Sequence, residues 1–130
     1  MERAPIPLET ERVVTAILDG AFKVHRTLGP GLLESAYEAC LAHELTKAGV
    51  PFRSQVVVPI EYDGEQIEAG FRLDLWVAER VIVELKAVED INKVHEAQLH
   101  TYLKLTGMRL GLLINFNVKL LRDGLMRVVY

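Results

Sequence analysis

Asp74, Glu84 and Lys86 are the residues of this chain whose types and spacing could do chemistry together. Glu84 and Lys86 stand two apart in the apolar run Val81-Ile-Val-Glu84-Leu-Lys86-Ala87, and Asp74 lies ten residues upstream. Side chains alternate faces along a strand, so Glu84 and Lys86 project together while Val83 and Leu85 enter the opposite layer. Charge inside so apolar a run costs desolvation unless a partner such as a metal ion compensates it. Two carboxylates that hold a hard divalent ion, with an amine alongside, form a phosphodiester-cutting arrangement.

The preceding segment sharpens that reading. Ile67, Ala69, Phe71, Leu73, Leu75 and Val77 are apolar, with Glu68, Gly70, Arg72 and Asp74 between them, a period of two. A three-residue hairpin loop at 78–80 sets Val77 opposite Val81, Arg72 opposite Lys86 and Asp74 opposite Glu84. A loop of two or four residues would mix apolar and charged side chains on one face. Opposed positions have Cβ atoms roughly 5 Å apart, where like charges repel. Something positive is expected between Asp74 and Glu84, and Mg²⁺ or Mn²⁺ suits carboxylate oxygens while keeping water positions open for a phosphate.

The elements that must position these residues fit one domain. The chain has 130 residues, 50% hydrophobic, enough for one compact core. It contains no apolar run long enough for a membrane span, and its first residues lack the apolar core of a signal peptide, so a soluble, intracellular and cytoplasmic protein is expected. The single cysteine, Cys40, excludes an internal disulfide, a four-cysteine iron–sulfur cluster and a cysteine-rich zinc site, and reads as a small buried hydrophobe. A net charge of −3 argues against non-specific adhesion to nucleic acid. From Lys104 onward, however, Lys104, Arg109, Lys119, Arg122 and Arg127 face one acid, Asp123, so a phosphate-facing C-terminal surface is one reading and a solvated charged face the other.

Residues 1–8 read as an extended arm and 9–130 as a single domain. Val14, Ile17, Leu18, Ala21, Val24 and Leu28 predict a first helix from about Glu9, ended at Gly29-Pro30-Gly31. A second helix runs from about Leu32 to Ala48. A strand near Gln55–Tyr62, a turn at Asp63-Gly64 and the two strands above form a meander. A third helix spans about Asp90–Thr106, and Arg109–Phe116 and Leu125–Tyr130 are the last strands. The order ααβββαββ predicts an α+β (α/β) fold with a mixed central β-sheet flanked by helices. The short links require antiparallel pairing, and the crossover through the third helix allows a parallel one.

Further polar residues fall on helix faces directed at this sheet. Glu34 shares a stripe with Tyr37, Leu41, Leu45 and Ala48, which makes it either a charge favoured at a helix N-terminus or a third acid reaching the metal, with Tyr37 fixing its rotamer. Gln98 and Tyr102 align with Ile91, Val94 and Leu105, so both are expected to point toward the sheet, where each needs a partner. His25, His43, His95 and His100 lack ligand spacing and a completing cysteine, with His95 a minor site candidate one turn from Gln98.

Gly31-Leu-Leu-Glu34-Ser-Ala-Tyr37 resembles the GxxExxY signature, and the chain from about Val13 to Val129 looks like that small family of the PD-(D/E)XK nuclease superfamily. Asp74, Glu84-x-Lys86 and Gln98-x-x-x-Tyr102 follow in the order that the superfamily shows, and the last pair resembles the QxxxY motif of RecB-type and lambda-exonuclease-like members. Leu73 stands where a proline often precedes the aspartate. The resemblance implies a PD-(D/E)XK nuclease-like fold and a metal-dependent nuclease acting on nucleic acid, with DNA the expected substrate. It assigns Mg²⁺ (or Mn²⁺) to Asp74, Glu84 and the Leu85 backbone carbonyl, with Glu34 as a further candidate. Lys86 would position the attacking water or stabilise the developing charge, and Tyr37, Gln98 and Tyr102 would be substrate-binding or supporting residues. The competing expectations are a non-catalytic nucleic-acid-binding or regulatory module and a homodimeric interaction protein that kept the fold.

Overall fold

The computed structural model describes residues 4–130, so the start of the expected arm, residues 1–3, lies outside the described residues. Helix α1 (Leu8–Leu28) begins directly after Pro7 and buries Thr10, Val14, Ile17, Gly20, Ala21, Val24 and His25, a helical stripe. Helix α2 (Glu34–Lys47) packs on it through Tyr37, Leu41 and Leu45. Strands β1 (Phe52–Tyr62) and β2 (Glu65–Val77) follow, joined at Asp63-Gly64, both with positive φ as a tight two-residue hairpin turn requires. Strand β3 (Val81–Lys86), helix α3 (Lys93–Thr106), strand β4 (Leu110–Asn115), a 3₁₀ turn at Leu121–Gly124 and strand β5 (Leu125–Val129) complete the order.

The five strands lie in one sheet in sequence order, antiparallel throughout except for the parallel pair β3 and β4. The mixed α+β architecture is therefore the expected one. The 78–80 loop sets Val77 opposite Val81, as strand alternation requires. The sheet divides two apolar layers. On one face Ile17, Ala21, Tyr37 and Leu41 meet Leu75, Val77, Val83, Leu85 and Phe116. On the other, Leu99, Tyr102 and Leu103 of α3 meet Leu73, Ile82 and Leu113. Fully burying one such leucine stabilises the fold by roughly 1.5–3 kcal/mol.

The alternation of β2 conceals a change of side. Leu73 is packed in the α3 layer and Leu75, two residues on, in the α1/α2 layer, although a regular strand would send both to one face. The expectation that residues 67–77 serve a single face is corrected here. The switch falls at Asp74, opposite Gln55, whose φ is 52°. The neighbours Ser54↔Leu75 and Val56↔Leu73 are paired, and the Gln55 and Asp74 positions between them are not. A left-handed residue in one strand turns the local backbone, and its partner strand twists with it.

Candidate active site

Where β2 turns at Asp74 it also leaves β3. The ladder between them comprises Val77↔Val81, Trp76↔Ile82 and Leu75↔Val83 and stops there, so neither Asp74 with Glu84 nor Arg72 with Lys86 is a ladder pair as the sequence suggested. Side chains replace the missing rungs. The Asp74 carboxylate accepts the Leu85 N–H through Oδ2 at 2.8 Å, and the Glu84 carboxylate accepts the Asp74 N–H through Oε1 at 3.2 Å. Each acid thus ties down the other's strand, and one oxygen of each is left to the gap. Because N–H and C=O of a strand residue point to the same side, the Leu85 carbonyl faces the same gap.

These carboxylates are held where charge is disfavoured. Glu84 is only 7% exposed. Burial first, and the neighbouring Asp74 charge second, push its carboxyl up to about 8. Asp74 is raised as well, by burial and then by the charge of Glu34, against the hydrogen bond from Leu85. The Tyr102 phenol is raised by its own burial and by the negative charges of Glu84 and Asp74. Lys86 lowers both acids by its positive charge yet makes no salt bridge among the described residues. It stands at the end of β3, half-buried, its carbonyl accepting the Phe116 N–H at 2.9 Å.

The helices contribute unequally. Glu34 is the first residue of α2 and exposed; its charge acts on both carboxylates, and it lines a cleft with Leu32, Leu33 and Ala87, the residue after Lys86. Tyr37 does not fix the Glu34 rotamer as expected. Its hydroxyl donates to the Gly29 carbonyl at 2.6 Å and accepts the Leu32 N–H at 3.1 Å, and its ring stacks on Phe116 at 4.4 Å. Tyr37 therefore fixes the α1–α2 connection that delivers Glu34. On α3 the buried face is Leu99, Tyr102 and Leu103. Gln98 is exposed, as are Val94 and Leu105, so the stripe drawn through them is corrected and only Tyr102 faces the sheet. His95 serves the helix instead, its Nδ1 accepting the Asn92 N–H in a capping box. Cys40 is half-buried against the α1/α2 core rather than fully enclosed.

Three residues complete the site beyond those picked out by sequence. Glu38 and Gln55 join it from the side: the Gln55 amide donates to Glu38 Oε1 at 2.6 Å and reaches Asp74 Oδ1 at 3.5 Å. A signal was present for Glu38, one turn beyond Glu34, but not for Gln55, which is set against Asp74 only by a register shift between Val58 and Ile60 that the Asp63-Gly64 turn does not announce. Asn115 faces Lys86 across the parallel pair and is 1% exposed. Its amide grips the backbone of Val88 in both directions, at 3.1 and 2.9 Å, and so anchors the chain leaving Lys86.

A family model of the PD-(D/E)XK nuclease superfamily matches residues 11–128. This chain belongs to the PD-(D/E)XK nuclease superfamily. Neither a curated protein nor a solved structure matches it. Membership in a superfamily of nucleases makes nucleic acid the substrate class that goes with the fold, and no helix among the described residues is long and apolar enough to cross a membrane.

A divalent metal ion belongs with such a superfamily, and the residues present fit one. Two carboxylates crowded by burial, each with one oxygen free of strong hydrogen bonds, and a carbonyl on the same side are the oxygen donors that hard ions take. The fit is to two carboxylates. No group of three or more His, Cys, Asp or Glu side chains able to hold an ion is found among the described residues, so Glu34 is not brought in as a third.

Proposed function

We propose that this chain is a metal-dependent nuclease of the GxxExxY type that hydrolyses phosphodiester bonds in DNA with Mg²⁺ or Mn²⁺. The observation that carries the reading is the reciprocal clasp of Asp74 and Glu84 at the β2–β3 fork, with Lys86 one strand period further along. Asp74 and Glu84, with the Leu85 carbonyl, would hold the ion. Bound there, it would lower the pKa of a coordinated water and screen charge on the scissile phosphate.

The chain's own residues do the rest. Lys86 forms no salt bridge among the described residues, so its ammonium is available to orient the attacking water or to neutralise charge growing on the phosphoryl oxygens. Asn115 keeps that lysine's backbone in place. Gln55 holds Asp74 Oδ1 toward the gap, and Tyr102 closes the α3 side with a phenol that stays protonated and able to donate. Gln98, exposed one turn before Tyr102, would meet substrate rather than metal. A cytoplasmic setting, where Mg²⁺ and nucleic acid coexist, is part of this reading.

The test is cleavage of end-labelled single-stranded, duplex and branched DNA, and of RNA, in Mg²⁺, Mn²⁺ or EDTA. Scission is expected with either ion, absent in EDTA, and lost in Glu84→Ala and Lys86→Ala variants whose circular dichroism matches the parent. Equal cleavage by both variants would sink the proposal.

A further inference from the structure

The site is a poor place for a polyanion to land. Asp74, Glu84, Glu34 and Glu38 put four acids around one fork, in a chain of net charge −3. Nucleic-acid affinity at ordinary salt comes from cations that neutralise phosphates and release counterions. A nuclease with this site needs a separate cationic surface within reach of it.

The described cations are distributed unevenly. Lys23, Lys47, Arg53, Arg80 and Arg127 are occupied in salt bridges, and Arg109 donates to backbone carbonyls. Three of the exposed cations that form no salt bridge among the described residues, Arg26, Lys119 and Arg122, line one cleft of about 570 Å³, whereas Arg12, Arg72, Lys93 and Lys104 do not line it. Arg26 comes from the last turn of α1, and Lys119 and Arg122 from the connection between β4 and β5. Phe22, Pro30 and Leu120 give the same cleft an apolar wall.

That cleft is built rather than accidental. The buried His25 ring bonds the Val118 carbonyl through Nε2 at 2.7 Å, tying the connection to α1 at the residue before Lys119. Gly124 secures its other end: a Cβ there would lie 2.1 Å from the Asn115 carbonyl oxygen, so only glycine lets the chain press back onto β4. The two tethers fix the connection that brings Lys119 and Arg122 to the cleft lined by Arg26.

One connection links the cleft to the site. Gly29 and Pro30 line it, while Leu32, Leu33 and Glu34 of the same connection line the next cleft with Ala87, beside Lys86. The Tyr37 hydroxyl bonds both ends of that connection. We infer that Arg26, Lys119 and Arg122 form a phosphate-binding cleft that holds the sugar–phosphate backbone of a nucleic-acid strand next to the segment entering the Asp74–Glu84 fork. The inference rests on the nuclease reading for its ligand, but binding and cleavage are separately measurable.

The experiment follows binding of fluorescein-labelled 20-nucleotide DNA and RNA, single-stranded and duplex, in EDTA across a salt series. It compares the full chain, Lys119→Gln/Arg122→Gln, and Arg12→Gln/Lys104→Gln, which removes the same charge from exposed cations outside the cleft that form no salt bridge among the described residues. Losing two phosphate contacts should weaken binding about tenfold and flatten the log–log salt slope by about 1.8 for duplex or about 1.4 for single strands. The control pair should leave the slope unchanged. In cleavage assays the cleft variant should raise KM with kcat unchanged, as loss of uniform binding does. Equal effects in the two double variants, no effect in either, or no binding of any probe by the parent would overturn the inference. Slope-dependent binding without cleavage in any metal would uphold the cleft and overturn the nuclease reading instead.

Discussion

Glu84 carries the plainest consequence of burying an acid beside another acid. In the folded chain without metal its carboxyl titrates at about 8, against an ordinary value of 4.5. Between those values the folded state binds the proton that the unfolded state has released, so stability falls as pH rises through that window. Across it, the folded state loses up to about 1.4 kcal/mol for every pH step of one. The expected outcome in EDTA is a Tm that drops by several degrees from pH 5 to pH 8, with Glu84→Gln flattening the profile. Mg²⁺ should restore the loss at pH 8 and do little at pH 5. A profile that rises over this range, or is unmoved by Mg²⁺ at pH 8, would contradict the assignment of Glu84 as a buried ligand.

Elements set the site by where they stop pairing. Tyr37 links the end of α1 to the start of α2, so Tyr37→Phe keeps the stacked ring while orphaning the Gly29 carbonyl and the Leu32 N–H. A cost of about 1–3 kcal/mol in urea unfolding is expected. The side switch in β2 gives a sharper test. Leu73 and Leu75 share strand parity but fill different layers, so Leu73→Ala should loosen α3, and Leu75→Ala should loosen α1 and α2. Each should cost about 2–5 kcal/mol, and hydrogen exchange should show the protection lost on opposite faces. Loss on one common face would deny the switch. The order of strands and helices, the 78–80 register and the gathering of Asp74, Glu84 and Lys86 were all legible in alternation and loop length. The switch was not, because Ile67 to Val77 reads as one unbroken period and the turn lies in the backbone of Gln55, on another strand. Gln98 misled for a related reason. Its spacing from Tyr102 was right, yet the helix rotates Leu99 and Leu103 inward and leaves Gln98 at the rim.

At the scale of the molecule, both apolar layers share a single sheet, and the fork lies where strand residues pass from one layer to the other. Unfolding should therefore be one cooperative event. Trp76 fluorescence, sensing the α3 layer, and far-ultraviolet circular dichroism, sensing all elements, should give the same urea midpoint. A separation of the two curves would show that the layers come apart independently. Net charge concealed the division of labour on the surface: four acids gather at the fork, and Arg26, Lys119 and Arg122 share one cleft, a separation that a chain total of −3 averages away.

The reciprocal clasp at the fork makes inactivation separable from unfolding. Each carboxylate gives one oxygen to the scaffold and offers the other to chemistry. In Asp74→Asn the amide oxygen can keep the Leu85 N–H while its NH₂ group faces the gap, turning an electron-pair donor into a proton donor. Such a variant should fold, reject the ion and retain the cationic cleft. It would be a natural trap for capturing uncut nucleic acid and identifying which strands this protein engages.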